Sequence, residues 1–476
     1  MYNPHTKPYW NADVKQAHTK ERNMRRVWMQ DGRPRGMQHE SYFNYKRAKR
    51  DFRNIQQLAN EQYIEETYDD INNAAECDIY DYSGNLLSAK NQNIQKFCQQ
   101  IKHNNIVHTS PESICNAFAN YFEDLYTPAD TSTFDDPTLN EMNKAYREIQ
   151  RVCKADEDLY LPGGIITCDD VSSIIKQLKR RKACGNDMIQ NEHLIYGGPK
   201  VSECLSIFLN IVVEKQQVPS DWQKGLVVPL FKGGDKSKLS PDSYRPVCLL
   251  SSVLKLFEKI VLIRLQTFVV LPETFPNPLQ HGFQKGLGCL TASFCLLETI
   301  YHNIEQNSKV FVAFLDSRKA FDTVWRKALM FKLFNLGVKG KAWSLINDMY
   351  SKTQGSVVVN KCKSNDFVVK EGVRQGGVLS GFLYLVFINE LINELERCNR
   401  VTGVNSIKCC APSLADDITC IATTPQRLQH MLDICTNYSN KWRFQFNGKK
   451  SCVIQFSKSS IKTDYNWKIN QESVPG

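Results

Sequence analysis

Two adjacent carboxylates, Asp416 and Asp417, interrupt an otherwise apolar, β-prone run, Ser413-Leu414-Ala415-Asp416-Asp417-Ile418-Thr419-Cys420-Ile421. In a continuous strand neighbouring side chains point to opposite faces, so only one acid of the pair could serve a given site. A tight turn between two short strands lets both point the same way. Two unpaired acids on such a turn repel each other and resist desolvation, and divalent cations would remove that cost. The pair therefore marks either a hydrated hairpin tip or a metal-binding turn. The rest of the chain has to decide between them.

At 476 residues the chain exceeds one ordinary domain. Hydrophobic residues at 42% and charged residues at 23% describe a globular protein. No run of about 18 apolar residues exists, and the N-terminus lacks the apolar core of a signal peptide. The 17 cysteines are scattered, with no Cys-x-x-Cys spacing, which fits free thiols in a reducing intracellular compartment, cytoplasm or nucleus. Residues 1–60 hold 13 Lys/Arg against 5 Asp/Glu, so most of the net charge of +10 belongs to one end. Such asymmetry suits a polyanionic partner, or else a solvated charged face.

Residues 14–60 read as two helices broken at Asp31-Gly32-Arg33-Pro34. The second carries Lys46, Arg47, Lys49, Arg50 and Arg53, which could neutralise phosphates from a basic outer face, with Phe43 and Phe52 expected in the core. A short hairpin is expected near residues 81–85, and a helix capped by Ser110 from Pro111 to about Leu125, with a linker at 127–133. A second unit begins near residue 165, where Asp169 or Asp170 could cap a helix through Leu178. It ends in a basic run, Lys179, Arg180, Arg181 and Lys182. Strands are expected at 225–232, 310–315, 355–360, 366–370, 443–446 and 452–456. Helices are expected at about 200–215, 251–268, up to 305, from Phe321 to Gly337, after Ser380, and at 425–441.

The order of these pieces carries the chemistry. A buried strand ends in Asp316, a Gln375-Gly376 loop opens a helix, and a hairpin then displays Asp416 and Asp417. Such carboxylates can hold two divalent cations about 3.5–4 Å apart, one activating an attacking hydroxyl and one holding leaving phosphates. Oxygen ligands of this kind favour magnesium, with manganese as the alternative ion. The transferred group would be phosphoryl or nucleotidyl.

Residues from about 165 to 458 resemble the reverse transcriptase of non-LTR (long-interspersed-element-type) retrotransposons. The resemblance rests on motifs in the family's order: Lys182-Ala183-Cys184-Gly185-Asn186-Asp187; residues 228–232 with Ser243-Tyr244-Arg245-Pro246-Val247; and Gln280-His281-Gly282-Phe283. Residues 314–322, 374–380 and 414–417 follow, with Phe446-Asn447-Gly448-Lys449-Lys450-Ser451 behind them. It implies an α+β right-hand polymerase fold, with fingers at 165–305, a palm at 306–458 and the whole reverse transcriptase domain at about 215–458. Residues 1–135 would form a basic helical connecting region, and 459–476 the start of a helical thumb. The chain thus resembles a fragment of an element's polyprotein.

By the same resemblance Asp316, Asp416 and Asp417 would bind two Mg2+ ions, and Lys450 would act as general acid toward pyrophosphate. Lys232 and Arg245 would pair with the triphosphate, Gln375 and Gly376 would approach nucleotide and template, and Phe321 would sense the sugar. Phe321 could alternatively be a core residue of an amphipathic helix. Asp322, placed inside that helix, would be a cap or ion-pair partner. The implied activity is RNA-directed DNA synthesis, with an RNA template, a DNA primer and dNTPs as partners and no membrane. The alternatives are a catalytically weak or inactive remnant that binds RNA through residues 1–60 and 176–182, an intron-encoded maturase, or a viral RNA-dependent RNA polymerase. This chain departs from the family pattern at Leu414, Gly381, Arg318 and Cys184.

Overall fold

The computed structural model describes residues 9–74, 98–127, 136–155, 160–306, 309–398, 402–404, 407–458 and 465–475. The chain forms two compact units, residues 1–85 and 86–476. Among the described residues no helix is long and apolar enough to cross a membrane.

The first unit contains helices Ala12–Gln30 and Glu40–Ala74. Asn11 caps the first by accepting from the Val14 N–H at 2.9 Å, and Gly32 and Gly36 take left-handed conformations in the break. Trp28 stacks on Tyr45 with centroids 4.9 Å apart, and its indole N–H donates to the Pro34 carbonyl. Phe43, expected in the core, is exposed, and Tyr45 takes that place. Residues 45, 48 and 52 share one helical stripe, whereas 43 lies about 200° round from 45. Phe52 is half-buried beside Trp10 and His18. Lys46, Arg47, Arg50 and Arg53 are exposed, while Lys49 lies half-buried over the Tyr45 ring. The hairpin expected at 81–85 and nearly all of the linker fall outside the described residues.

Among the described residues, the two larger sheets organise the second unit. The first is antiparallel, with Val310–Leu315 between Ile418–Ala422 and Cys452–Phe456, in a register that sets Leu315 opposite Ile418 and Phe314 opposite Cys452. Val310, Phe311, Val312, Ala313 and Leu315 are all buried, as a central strand covered on both faces requires. Helices Ser380–Cys398 and Pro425–Lys441 contribute Leu385, Ile388, Leu391, Leu428 and Met431 to the same core. In the second sheet Lys224–Phe231 pairs antiparallel with Tyr244–Leu249 and parallel with Gln354–Val359, which in turn pairs with Cys362–Lys363 and Phe367–Val368.

Several expectations change in three dimensions. Helix Pro111–Leu125 forms as expected, with Ser110 accepting from the Ser113 N–H, but it belongs to the second unit. Its stripe of Ile114, Phe118 and Phe122 shares a core with Val227, Tyr244, Val357 and Phe367. Helix Cys168–Ile175 is capped by Thr167, and Asp170 completes the capping box from inside it. Helix Arg326–Asn335 starts five residues after Phe321, because residues 318–323 form turns. Residues 443–446 are not a strand: Arg443 takes a φ of 62°, and only Phe446 bridges, to Ser317. The segment expected to open a helical thumb instead forms a hairpin, Trp467–Ile469 with Glu472–Val474. Alternation is the reason: Trp467, Ile469 and Val474 face the core while Lys468 and Ser473 face out.

Candidate active site

The Asp416–Asp417 turn is held from outside its own hairpin. Leu414 and Asp417 exchange backbone hydrogen bonds at 2.9 and 3.0 Å around a two-residue turn, and Ala415 takes a φ of 56°. A left-handed alanine costs energy that neighbouring structure must supply. Gln280 supplies it: its side-chain oxygen accepts from the N–H groups of Ala415 and Gly282, both at 2.7 Å, and its amide donates to the Ala415 carbonyl. The backbone joins in through His281 N–H to Ser413 O and Ser413 N–H to Leu279 O, both at 2.8 Å. Gly282 is required here, since a Cβ would lie 2.3 Å from the Ala415 nitrogen. The Gln280-His281-Gly282-Phe283 motif is thus a clamp on the acidic turn.

Asp316 follows the central strand, its N–H donating to the Ser451 hydroxyl at 3.2 Å and its carbonyl accepting from Asn447. Burial, then the charges of Asp417 and Asp316, push the Asp416 carboxyl up, and burial and Asp316 do the same to Asp417. The buried Tyr384 hydroxyl is pushed up by burial and by the same two turn carboxylates. These groups therefore share one electrostatic neighbourhood. Among the described residues, however, no three His, Cys, Asp or Glu side chains converge closely enough to hold a metal ion.

A cavity of about 1200 Å³ opens beside the turn. Asp316 and Asp416 line it, and Asp417 is exposed and does not. Lys232, Arg245 and Lys450 line it from the other segments, with Phe321, Gln375 and Gly376. Phe321 stacks on Tyr384 at 4.7 Å and meets the Phe283 ring edge-on at 5.7 Å. Gly381 leaves room for that ring, because a Cβ there would come within 2.7 Å of Phe283. The Gln375 amide donates to Asp322 at 2.7 Å, and its carbonyl accepts from Cys248, tying the loop to the second sheet. Gly376, at a φ of 133°, is needed because a Cβ would lie 2.3 Å from the Cys248 carbonyl. Among the described residues Asp322 caps no helix and makes no close ion pair, although Lys319 and Lys232 act on its charge. It is a buried acceptor for Gln375, and burial raises its pKa to about 6. The basic run 179–182 is exposed and does not line the cavity.

Three residues carry weight that the sequence did not assign them. Gln280 sat in a motif without a role. Glu258 is fully buried and accepts from the Val378 N–H, fixing the start of the helix behind the Gln375 loop. Its signal was a carboxylate set within the apolar stripe of Leu254, Phe257 and Val261. Tyr121 reaches the cavity from helix Pro111–Leu125, which the resemblance assigns to the connecting region at 1–135.

Two measurements test this geometry. Gln280→Ala would leave two largely buried N–H groups without an acceptor, so urea denaturation should show a loss of about 2–4 kcal/mol. Asp322 binds its proton more tightly folded, about 6 against 3.8. Its contribution is therefore full below pH 3.8 and is lost as the pH rises through 6, a swing of at most about 3 kcal/mol. Asp322→Asn should abolish that part of the slope between about pH 4 and 6 while keeping the acceptor for Gln375.

The model of the reverse transcriptase (RNA-dependent DNA polymerase) family matches residues 232–468, a span that takes in Asp316, Asp416 and Asp417. The RNA-directed DNA polymerase from mobile element jockey of Drosophila funebris is 28% identical over 303 residues, covering 62% of this chain and 32% of that protein. Its counterpart in Drosophila melanogaster is 25% identical over 346 residues, covering 71% and 36%. The probable RNA-directed DNA polymerase from transposon BS of Drosophila melanogaster is 26% identical over 347 residues, also covering 71% and 36%. The chain spans about a third of the length of these curated relatives. With its mixed α+β architecture and polymerase palm-type fold, the chain belongs to the reverse transcriptases of non-LTR retrotransposons.

Proposed function

We propose that the cavity is the active site of an RNA-directed DNA polymerase, which transfers a nucleotidyl group from a dNTP to a DNA 3′-OH paired with an RNA template. The observation that carries this reading is the meeting of Asp316 and Asp416 with Lys232, Arg245, Lys450 and Phe321 around one open cavity. In this reading the three-stranded sheet is the palm of a right hand at 306–458, and residues 165–305 are the fingers. Arg245 and Lys232 take the triphosphate, which suits the bidentate guanidinium of Arg245. Lys450 gives a proton to the departing pyrophosphate. The ring of Phe321, held flat by Tyr384 and edge-on by Phe283, excludes a 2′-OH.

Reverse transcriptase domains generally use divalent metal ions. Asp316, Asp416 and Asp417 offer the oxygen donors such an ion takes, and the repulsion among them is what a cation relieves, although they do not converge into a closed metal site in this structure. Bound there, two magnesium ions, with manganese as substitute, would activate the primer hydroxyl and neutralise the leaving phosphates. Lys46, Arg47, Lys49, Arg50, Arg53 and the run Lys179–Lys182 would hold the nucleic-acid backbone. The protein would work inside the cell, where RNA and dNTPs are found together.

Primer extension on an RNA template tests the reading. Asp416→Asn should lower dNTP incorporation at least about a hundredfold, and equal incorporation by both proteins would sink it. Salt-dependent RNA binding without incorporation by the unsubstituted protein would mark an RNA-binding remnant instead. Phe321→Ala should erase the preference for dNTPs over rNTPs while leaving dNTP incorporation measurable.

A further inference from the structure

One wall of the cavity gathers several lysines. Lys232, Lys319 and Lys450 all line it, and burial together with Lys236, Lys319 and Lys450 depresses the Lys232 ammonium. Like charges gathered this way repel unless an anion sits among them. In this structure the anion is Asp242, on the loop between the two paired strands. The Tyr121 hydroxyl donates to its carboxylate at 2.9 Å, and the Lys319 ammonium stands 3.7 Å from the same oxygen. Lys319 also donates to the Tyr121 oxygen at 2.9 Å and lies over its ring, while Lys232 donates to the Asp242 carbonyl at 2.5 Å. Burial would raise the Asp242 carboxyl, yet Tyr121 and the three lysines hold it below its usual range.

We infer that Asp242 is a built-in counter-ion, which occupies the phosphate position of this cavity and gives way when the phosphates of a nucleotide enter. The inference rests on the nucleotide-site reading above and adds the groups that guard that site. Two features let the carboxylate leave. Its side chain is 64% exposed. The same loop contains Gly233 and Gly234, both at positive φ with open space around them. A triphosphate brings more negative charge and more acceptor oxygens than one carboxylate, so it can take over all three ammonium groups. Tyr121 and Lys319 become positioning residues: the hydroxyl keeps Asp242 seated while the site lacks phosphate, and Lys319 passes from carboxylate to phosphate. Helix Pro111–Leu125 acquires a role in substrate entry through Tyr121.

Calorimetric titration of the full chain with inorganic tripolyphosphate tests this without requiring catalysis. Removing the competing charge in Asp242→Asn should tighten binding about tenfold, the scale of one charge-assisted hydrogen bond. Asp242→Glu, which keeps the charge, should bind like the unsubstituted protein. Tyr121→Phe, which removes the hydroxyl that seats Asp242 and accepts from Lys319, should tighten binding about threefold. The inference is overturned if tripolyphosphate does not bind, or if folded Asp242→Asn binds no tighter. Should Asp242→Asn fail to fold, unchanged or weaker binding by Tyr121→Phe overturns it equally. The two readings fail separately. Dependence on Asp242 without dNTP incorporation would sustain the counter-ion and sink the polymerase. Incorporation with an unchanged dNTP KM in Asp242→Asn would do the reverse.

Discussion

The side chain of Gln280 holds the backbone of Ala415, and the geometry of the site depends on that contact. A turn that carries two adjacent acids must bend the chain within two residues, here with a non-glycine in the left-handed region. The strain and the repulsion between the carboxylates both oppose it. Two accepted hydrogen bonds and one donated bond from a single buried amide offset the strain and fix where the acids stand relative to Asp316. Gly282 has no side chain because the turn passes too close for one. A motif that precedes the acidic pair by more than a hundred residues is therefore part of the same local structure.

The floor beneath the cavity is stiffened by charges taken out of water. Glu258 accepts from Val378 beside buried Arg374, and Arg326 reaches the carbonyls of Gly372, Tyr350 and Val369. Lys332 pairs with Glu390 and lies 3.7 Å from the centre of the Trp442 ring. Such groups contribute little net stability relative to an apolar core, but each becomes costly once a partner is removed. They accordingly fix single positions for the loop 371–377 and for the helix behind it. The aromatic set of Phe283, Phe321 and Tyr384 then rests on a floor with little freedom to shift. The departure at Gly381 has a physical account in this set, since Phe283 fills the space that a larger residue would need. Nothing in the structure explains why residue 414 is leucine.

Sequence alone determined the elements whose apolar period is strong and whose ends are marked. Helices Pro111–Leu125 and Pro425–Lys441 and the strand Val310–Leu315 follow from stripes, caps and β-branched runs, which are local properties. It also gave the ordered motifs, and so the family and the carboxylates, because residue types in a fixed order need no coordinates to be recognised. Only the tertiary structure decided which segments meet. Helix Pro111–Leu125 packs on the sheet because its stripe finds an apolar face there, and it brings Tyr121 to Asp242 and Lys319. Phe321 and Asp322 lie in turns because residues 316–324 bond to the loops at 372–373 and 445–447 in place of continuing a helix. The opposite fates of Asp322, buried with a raised pKa, and Asp242, exposed with a lowered one, depend on neighbours far away in the chain. Period and capping are written within a few residues. Burial and charge pairing depend on contacts that only the folded chain creates.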